Sequence, residues 1–265
     1  PGGRAGHVVE NLRGGLPGRA RKDDGVTMKT RPKAAGETAP SLQPIIFSDF
    51  DGTITQLDVT DQILAQLAHP SWREIEQEWA CGSIGSRECL ERQVALVDAS
   101  SAELNALIDS VPVDAHFKSF LRLTDREKLP FYVVSDGFDY VIRRVLKRAG
   151  VNGQLRNGMH LFASALQVEG RRLQLSFPNA ATPCEHGCAT CKADIIRRLS
   201  GGHSPIVFIG DGLSDRFAVE AADLIFAKHQ LLAYCRERGI ECVPFETFAD
   251  VEAALKRLLT TGQTV

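Results

Sequence analysis

No apolar run in this chain approaches the ~18 residues that a membrane-spanning helix requires, and no secretory signal precedes its cysteines. An excess of either charge is missing as well. Its 31 Lys and Arg face 33 Asp and Glu, for a net charge of −2, which gives no electrostatic reason to expect nucleic acid or an anionic membrane as partner. No internal repeat is visible. The seven cysteines are an odd number, so a fully paired disulfide framework is not expected. A reducing cytoplasm is, with the thiols free or metal-bound. What remains is an ordinary globular composition, 43% apolar and 24% charged, over 265 residues. That is enough for one large domain, or for a core with an insert.

Residues 1–42 are rich in Gly, Pro and Arg and hold almost no large apolar side chains. They cannot bury enough surface to offset their ordering entropy and are expected to be a disordered leader or tag. Met28 within them is a candidate start. The arginines suit a transit peptide, but Glu10, Asp23, Asp24 and Glu37 argue against one.

The chain is organised around Ile45-Ile46-Phe47-Ser48-Asp49-Phe50-Asp51-Gly52-Thr53-Ile54-Thr55. An apolar run that reads as a strand buried on both faces ends in two acids one residue apart, then Gly-Thr. Alternation along a strand points Asp49 and Asp51 the same way. Two adjacent negative charges at a sheet edge are costly unless a cation is shared between them. Mg²⁺ bound by oxygens is the expected cation.

Asp-x-Asp-Gly-Thr at the tip of a first strand closely resembles the signature of the haloacid dehalogenase superfamily of phosphohydrolases. The resemblance implies that Asp49 takes the phosphoryl group as an aspartyl-phosphate. It makes Asp51 first the acid that protonates the leaving oxygen, then the base that activates water. It also implies a doubly wound parallel α/β sheet, which the pattern beyond supports.

From Asp58 to about Val113 the chain reads as short amphipathic helices with no strand among them. Ser71-Trp72-Arg73-Glu74 and Ser100 with Glu103 read as capping boxes. Ile63, Leu64, Leu67 and Ala68 form one apolar stripe, and Leu90, Val94 and Val97 another. A helical insert here resembles the cap of the phosphoserine-phosphatase-like subgroup, so 58–113 is expected to be a cap and 43–57 with 114–265 the core. Closure of such a cap would exclude water and discriminate substrates.

Phe131–Gly137 reads as a second buried strand ending in Ser135 and a Gly turn, followed by a helix that stops at Gly150. Leu161–Val168 and Arg172–Phe177 read as a hairpin turned at Glu169-Gly170. Ile206–Gly210 is a third buried strand, running into Asp211-Gly212-Leu213-Ser214-Asp215. A helix through Phe217, Val219 and Ala222 should follow it. Short strands at Leu224–Ala227 and Glu241–Phe245 then bracket a helix over Leu231–Arg238. Strand and helix alternate throughout this half, as in a parallel sheet.

Matched to the superfamily's motifs, Asp49, the Asp51 carbonyl and Asp211 are implied to coordinate Mg²⁺. Asp215 is implied to be a further ligand or to hold a metal-bound water. Thr53, Ser135, the backbone at Gly137 and Lys192 are implied to bind the phosphate. Lys192 opens the helix Lys192–Leu199, where the superfamily keeps its phosphate-neutralising lysine. Its plain alternative is a surface lysine.

Cys184-Glu185-His186-Gly187-Cys188-Ala189-Thr190-Cys191 is the most unusual stretch. Cys184, His186, Cys188 and Cys191 could encircle Zn²⁺, with Gly187 permitting the sharp turn. Free thiols against the core, or a redox-labile pair, are the alternatives. A Cys-rich loop running into Lys192 resembles the methionine-salvage phosphatases of the superfamily, which act on 2-hydroxy-3-keto-5-methylthiopentenyl-1-phosphate. Ser135–Tyr140, Pro70-Ser71-Trp72 and Asp223–Lys228 extend that likeness, and Asp136 departs from it where Gly is frequent. A phosphoserine phosphatase is the alternative substrate class. There the substrate carboxylate meets a cap arginine, and this chain has Gln93 near that position with Arg87 and Arg92 close by. Trp72 and Trp79 are candidates for the cap's inner surface. The partner implied is a small phosphorylated metabolite. The alternative of another class is a relative that binds a phosphorylated ligand without catalysis.

Overall fold

The computed structural model describes residues 44–151, 160–201, 203 and 205–261. The leader or tag expected over 1–42 lies outside them. Strand β1 (Ile45–Ser48) is followed by four helices, α1 (Val59–Leu67), α2 (Trp72–Ala80), α3 (Ser86–Val94) and α4 (Ser101–Ser110). Next come α5 (Phe117–Glu127), β2 (Phe131–Phe138), α6 (Asp139–Arg148), β3 (His160–Glu169) and β4 (Arg172–Ser176). The chain continues through α7 (Lys192–Leu199), β5 (Ile206–Gly210), β6 (Leu224–Ala227), α8 (His229–Arg238), β7 (Val243–Pro244) and α9 (Phe248–Thr261).

The seven strands form one sheet in the order β4-β3-β2-β1-β5-β6-β7. The β3–β4 hairpin is antiparallel and the other named pairs are parallel. The chain grows outward from β1 on one side, then returns to add β5 on the other. The order therefore reverses beside β1, and the crevice beyond its carboxyl end is where such sheets bind ligands.

Both faces of the sheet are covered, which is why β1 is buried at every residue. Ile46, Phe131, Val133, Ile209 and Phe226 pack with Phe117 and Phe120 of α5 and Phe248 of α9. The Phe117 and Phe120 rings lie 5.0 and 4.9 Å from Phe248. Phe47, Val134, Phe208 and Ile225 point the other way, onto Ile195 and Ile196 of α7 and Leu231 and Cys235 of α8. Period-two alternation thus feeds two cores, the arrangement of a doubly wound sheet.

The helical stretch between β1 and α5 is joined at its base by an antiparallel bridge, Thr55 with Val113. A second bridge, Ala68 with Val97, is the only extended pairing inside it among the described residues. The Ser100–Glu103 capping box forms. The box expected at Ser71 does not. Ser71 already has helical dihedrals (φ −64°, ψ −8°), whereas a capping hydroxyl needs an extended backbone to reach back. Its N–H instead donates to His69 Nδ1 at 3.3 Å.

Two further expectations give way. The helix expected through Phe217 to Ala222 is a pair of 3₁₀ turns, Leu213–Phe217 and Val219–Ala221. Asp215 Oδ2 accepts the N–H groups of Asp211 and Gly212 at 3.0 and 3.2 Å, and this tightens the first turn. The strand expected over Glu241–Phe245 shortens to Val243–Pro244 on β6, since proline cannot extend a ladder as donor.

Candidate active site

The ends of β1, β2 and β5 meet the start of α7. Asp49, the first residue past β1, donates its N–H to Ile209 O at 2.8 Å and is 4% exposed. Lys192 opens α7 and is 3% exposed. Its ammonium donates to Asp49 Oδ1 at 2.8 Å, Asp215 Oδ1 at 2.5 Å and Ser214 Oγ at 3.3 Å. Carboxylate oxygens of Asp49, Asp211 and Asp215 all lie within 4.8 Å of one another.

Asp51 sits beside this group. Its Oδ1 accepts the Val59 N–H at 3.1 Å, at the start of α1. Its other oxygen packs on Gly137, where a Cβ would collide with it. Gly52 turns the chain between β1 and the helices with φ +69°, and a Cβ there would meet the Asp211 carboxylate. Glycine is required at both positions, at the second for its conformation as well.

Ser135 reaches the site through an irregularity in β2. Five residues of that strand, Val134 to Phe138, are matched by only three of β3, Phe162 to Ser164. The extra residues bulge the strand and re-aim Ser135, Asp136 and Gly137, all of which line the cleft. The Gly137 N–H, expected on the phosphate, donates to Ser135 Oγ at 3.0 Å. Thr53, also expected there, is fully buried and donates to Asp211 Oδ1 at 2.9 Å. It aligns an acid and lies outside the residues lining the cleft.

The electrostatics are those of a concentrated acidic site. Burial, then the neighbouring Asp215, pushes the Asp49 carboxyl well above its usual range, with Lys192 opposing. Burial and Asp215 likewise raise Asp211, against hydrogen bonds from Thr53 and His229. Burial raises Asp51 from 3.8 to about 7, against the Val59 hydrogen bond. Burial alone would depress Lys192, but the charges of Asp215, Asp49 and Asp136 hold its pKa above the usual lysine value. Lys192 cannot balance this many carboxylates. Hard anionic oxygens gathered this closely, with their acidities already weakened by crowding, fit a divalent cation of the Mg²⁺ type.

The cleft above these residues has a volume of about 340 Å³, the size of small-molecule sites. Its far wall comes from α1, α2 and α3: Asp61, Glu76, Trp79, Ser86, Leu90 and Gln93. Burial raises the pKa of both Asp61 and Glu76. No arginine lines the cleft among the described residues. Arg92 is turned to Glu78 and Glu88, and Gln93 donates to Glu76 Oε2 at 2.8 Å. Trp79 lines the cleft, whereas Trp72 packs in the core.

Asp136 faces the cleft. Its Oδ1 accepts the Thr190 N–H at 2.9 Å, tying the cleft to the Cys-rich loop. In that loop Cys184, Cys188 and Cys191 come together, but His186 is not with them. The His186 ring stacks on Phe217 at 3.7 Å, nearly parallel.

Some residues escaped the sequence reading. His229 lines the cleft with its Nδ1 3.3 Å from Asp211 Oδ2. It adopts φ +46°, a conformation that non-glycine residues hold mostly where surroundings enforce it. Ser214, the hydroxyl inside the Asp211–Asp215 motif, touches Lys192, and its position in that motif was the available signal. Asp61 and Glu76 gave none, because acids on a short amphipathic helix read as its solvated face.

The model of the haloacid dehalogenase-like hydrolase family matches residues 46–220, a span holding every acid of the cluster and Lys192. A curated 2-hydroxy-3-keto-5-methylthiopentenyl-1-phosphate phosphatase of Geobacillus kaustophilus is 30% identical over 219 residues, covering 82% of this chain and 97% of that protein. The bifunctional enzyme MtnB/MtnX of Bacillus licheniformis is 33% identical over 81% of this chain, which spans 49% of its length. Among solved structures, a phospho-aspartyl intermediate analogue of phosphoserine phosphatase superposes with a TM-score of 0.59. The two are 18% identical, and the match covers 80% of this chain and 97% of that one. That likeness concerns the fold. Strand-end acids, lysine and sheet order thus agree with the sequence match: the chain belongs to the haloacid dehalogenase-like hydrolase family.

Proposed function

We propose that this protein is a Mg²⁺-dependent phosphomonoester hydrolase working through an aspartyl-phosphate on Asp49. The observation that carries this is the buried contact of Lys192 with both Asp49 and Asp215, at the point where the sheet order reverses. A phosphate dianion brought to Asp49 adds negative charge to a site already rich in it. The bound cation would be held by Asp49, Asp211, Asp215 and the Asp51 carbonyl, and would neutralise phosphate charge as it is transferred. Asp49 attacks phosphorus, and Lys192 offsets the charge that builds on the transferring oxygens. Asp51, with its pKa raised to about 7, holds a proton near neutrality and gives it to the leaving oxygen. It then takes a proton from the water that cleaves the acyl phosphate. Ser135 positions the phosphate by its hydroxyl, and Thr53 keeps Asp211 in place. Splitting the reaction in two suits a hydrolysis whose barrier must fall by about 20 kcal/mol or more.

For substrate, we infer a small phosphorylated metabolite of the 2-hydroxy-3-keto-5-methylthiopentenyl-1-phosphate type. The curated relatives support this, and so does the distal wall of the cleft. A phosphoserine carboxylate would face Asp61, Glu76 and a Gln93 engaged with Glu76, with no arginine among the described residues to meet it. An uncharged leaving group with hydroxyl or keto oxygens and an apolar thioether tail suits Trp79, Leu90 and Gln93 better. Residues 58–113 act as the cap that shuts this cleft.

The test ranks phosphate release by kcat/KM over a panel holding the methylthio-enol phosphate, phosphoserine and p-nitrophenyl phosphate, with and without Mg²⁺. Release that needs Mg²⁺ and favours the first compound is expected. Binding without release from any ester would overturn the enzyme in favour of a phospho-ligand-binding relative. A preference for phosphoserine would overturn the substrate class alone.

A further inference from the structure

We propose that Cys184, Cys188 and Cys191 form a three-thiolate site for one structural Zn²⁺, separate from the acidic cluster, which fastens the loop ahead of Lys192. The three Sγ atoms lie within 4.8 Å of one another. Tetrahedral zinc with bonds of about 2.3 Å holds its sulfurs about 3.8 Å apart, so the cage needs only a small contraction. The spacing Cys-x₃-Cys-x₂-Cys would ordinarily spread along a loop. Gly187, at φ +59°, folds it back. The Cys188 N–H points at Cys184 Sγ at 3.4 Å, a donor that favours a thiolate there. All three cysteines are half-buried, so solvent can supply the fourth ligand while His186 stays on Phe217. Each thiol gives up its proton as the ion binds.

The position gives the site a purpose. Gly187 O accepts the Arg87 N–H at 3.0 Å, and the Ala189 N–H donates to Ser86 Oγ at 3.0 Å. Both partners begin α3, on the far wall of the cleft. Thr190 donates to Asp136, and Cys191 O accepts the Ile195 N–H at 3.1 Å as α7 begins with Lys192. Eight residues without a strand or helix of their own thus link the distal wall to the active-site lysine. An ion holding both ends and the middle of that loop would fix these contacts as a set.

The full chain, purified without chelator or metal-affinity resin after growth with zinc, is analysed by inductively coupled plasma mass spectrometry. About one zinc per chain is expected, with loss in C184S and C188S and retention in D49N. Cobalt in place of zinc should give a thiolate-to-cobalt charge-transfer band that C188S lacks. Should the serine variants fail to fold, thiol titration of the wild-type chain decides. Three thiols should then become reactive only after a chelator extracts the zinc. Several results overturn the site: far less than one zinc after reconstitution, zinc kept in both serine variants, no thiols protected by zinc, a disulfide within the cluster, or iron with acid-labile sulfide in its place.

Discussion

Asp51 and Gly137 compete for one space: the carboxylate of the first stands where a side chain on the second would begin. Gly137→Ala should therefore push the acid off its line to the leaving oxygen without touching Asp49. The expected loss in kcat is about 10²-fold, with KM little changed. An alkyl phosphate, whose leaving group needs its proton most, should suffer more than p-nitrophenyl phosphate. Equal losses on the two esters would separate Gly137 from proton transfer.

Asp49→Asn removes the attacking oxygen while keeping the shape of the side chain. Turnover should fall by about 10³-fold or more, with the circular dichroism spectrum of the parent. Wild-type protein quenched in acid during turnover should carry a phosphoryl adduct that this variant lacks. Near-parental phosphate release by the variant would end the covalent mechanism.

Lys192 holds Asp49 and Asp215 together below solvent. Breaking a buried pair by removing one partner costs about 3–5 kcal/mol, so Lys192→Met should lower the denaturation midpoint of the Mg²⁺-free chain clearly. Mg²⁺ should restore part of that stability but little of the activity, because the charge on the transferring oxygens still lacks its partner. Full activity in the variant with Mg²⁺ would show that the lysine is structural.

The raised carboxylates make a prediction about pH. A group whose folded pKa lies above its unfolded value stabilises the fold below the unfolded pKa, and that stability is lost as pH rises through the folded one. Asp51, raised from 3.8 to about 7, with Asp49 and Asp211 shifted the same way, should make the Mg²⁺-free chain less stable from about pH 4 to pH 8. Mg²⁺ should raise Tm more at pH 8 than at pH 5, and Asp51→Asn should flatten the metal-free slope. Differential scanning calorimetry at several pH values, with EDTA or with Mg²⁺, measures both.

What was legible in the sequence was whatever depends on residues close along the chain. Apolar runs ending in Asp49 and Asp211 marked two strand ends, whereas β2 runs on past Ser135 to Phe138, and alternation marked a sheet covered on both sides. The lysine was placed by its order among the motifs. The losses lie where tertiary contacts reassign a residue. Thr53 donates to Asp211 and the Gly137 N–H to Ser135, partners that only the folded chain brings within reach. His186 left the thiols for Phe217, and His69 took over the start of α2 from Ser71. The bulge in β2 could not be read from one strand alone, because it exists only in the register against β3.

The pairing of Thr55 with Val113 brings the two crossings of the chain out of and back into the sheet side by side. The helices strung between them are held to the rest of the chain at further points, by Val59 on Asp51, by Arg87 and Ser86 on the loop ahead of Lys192, and by Asp98 on Arg171. Exchanging that stretch would therefore disturb the proton-carrying acid and the approach to the lysine along with the choice of substrate.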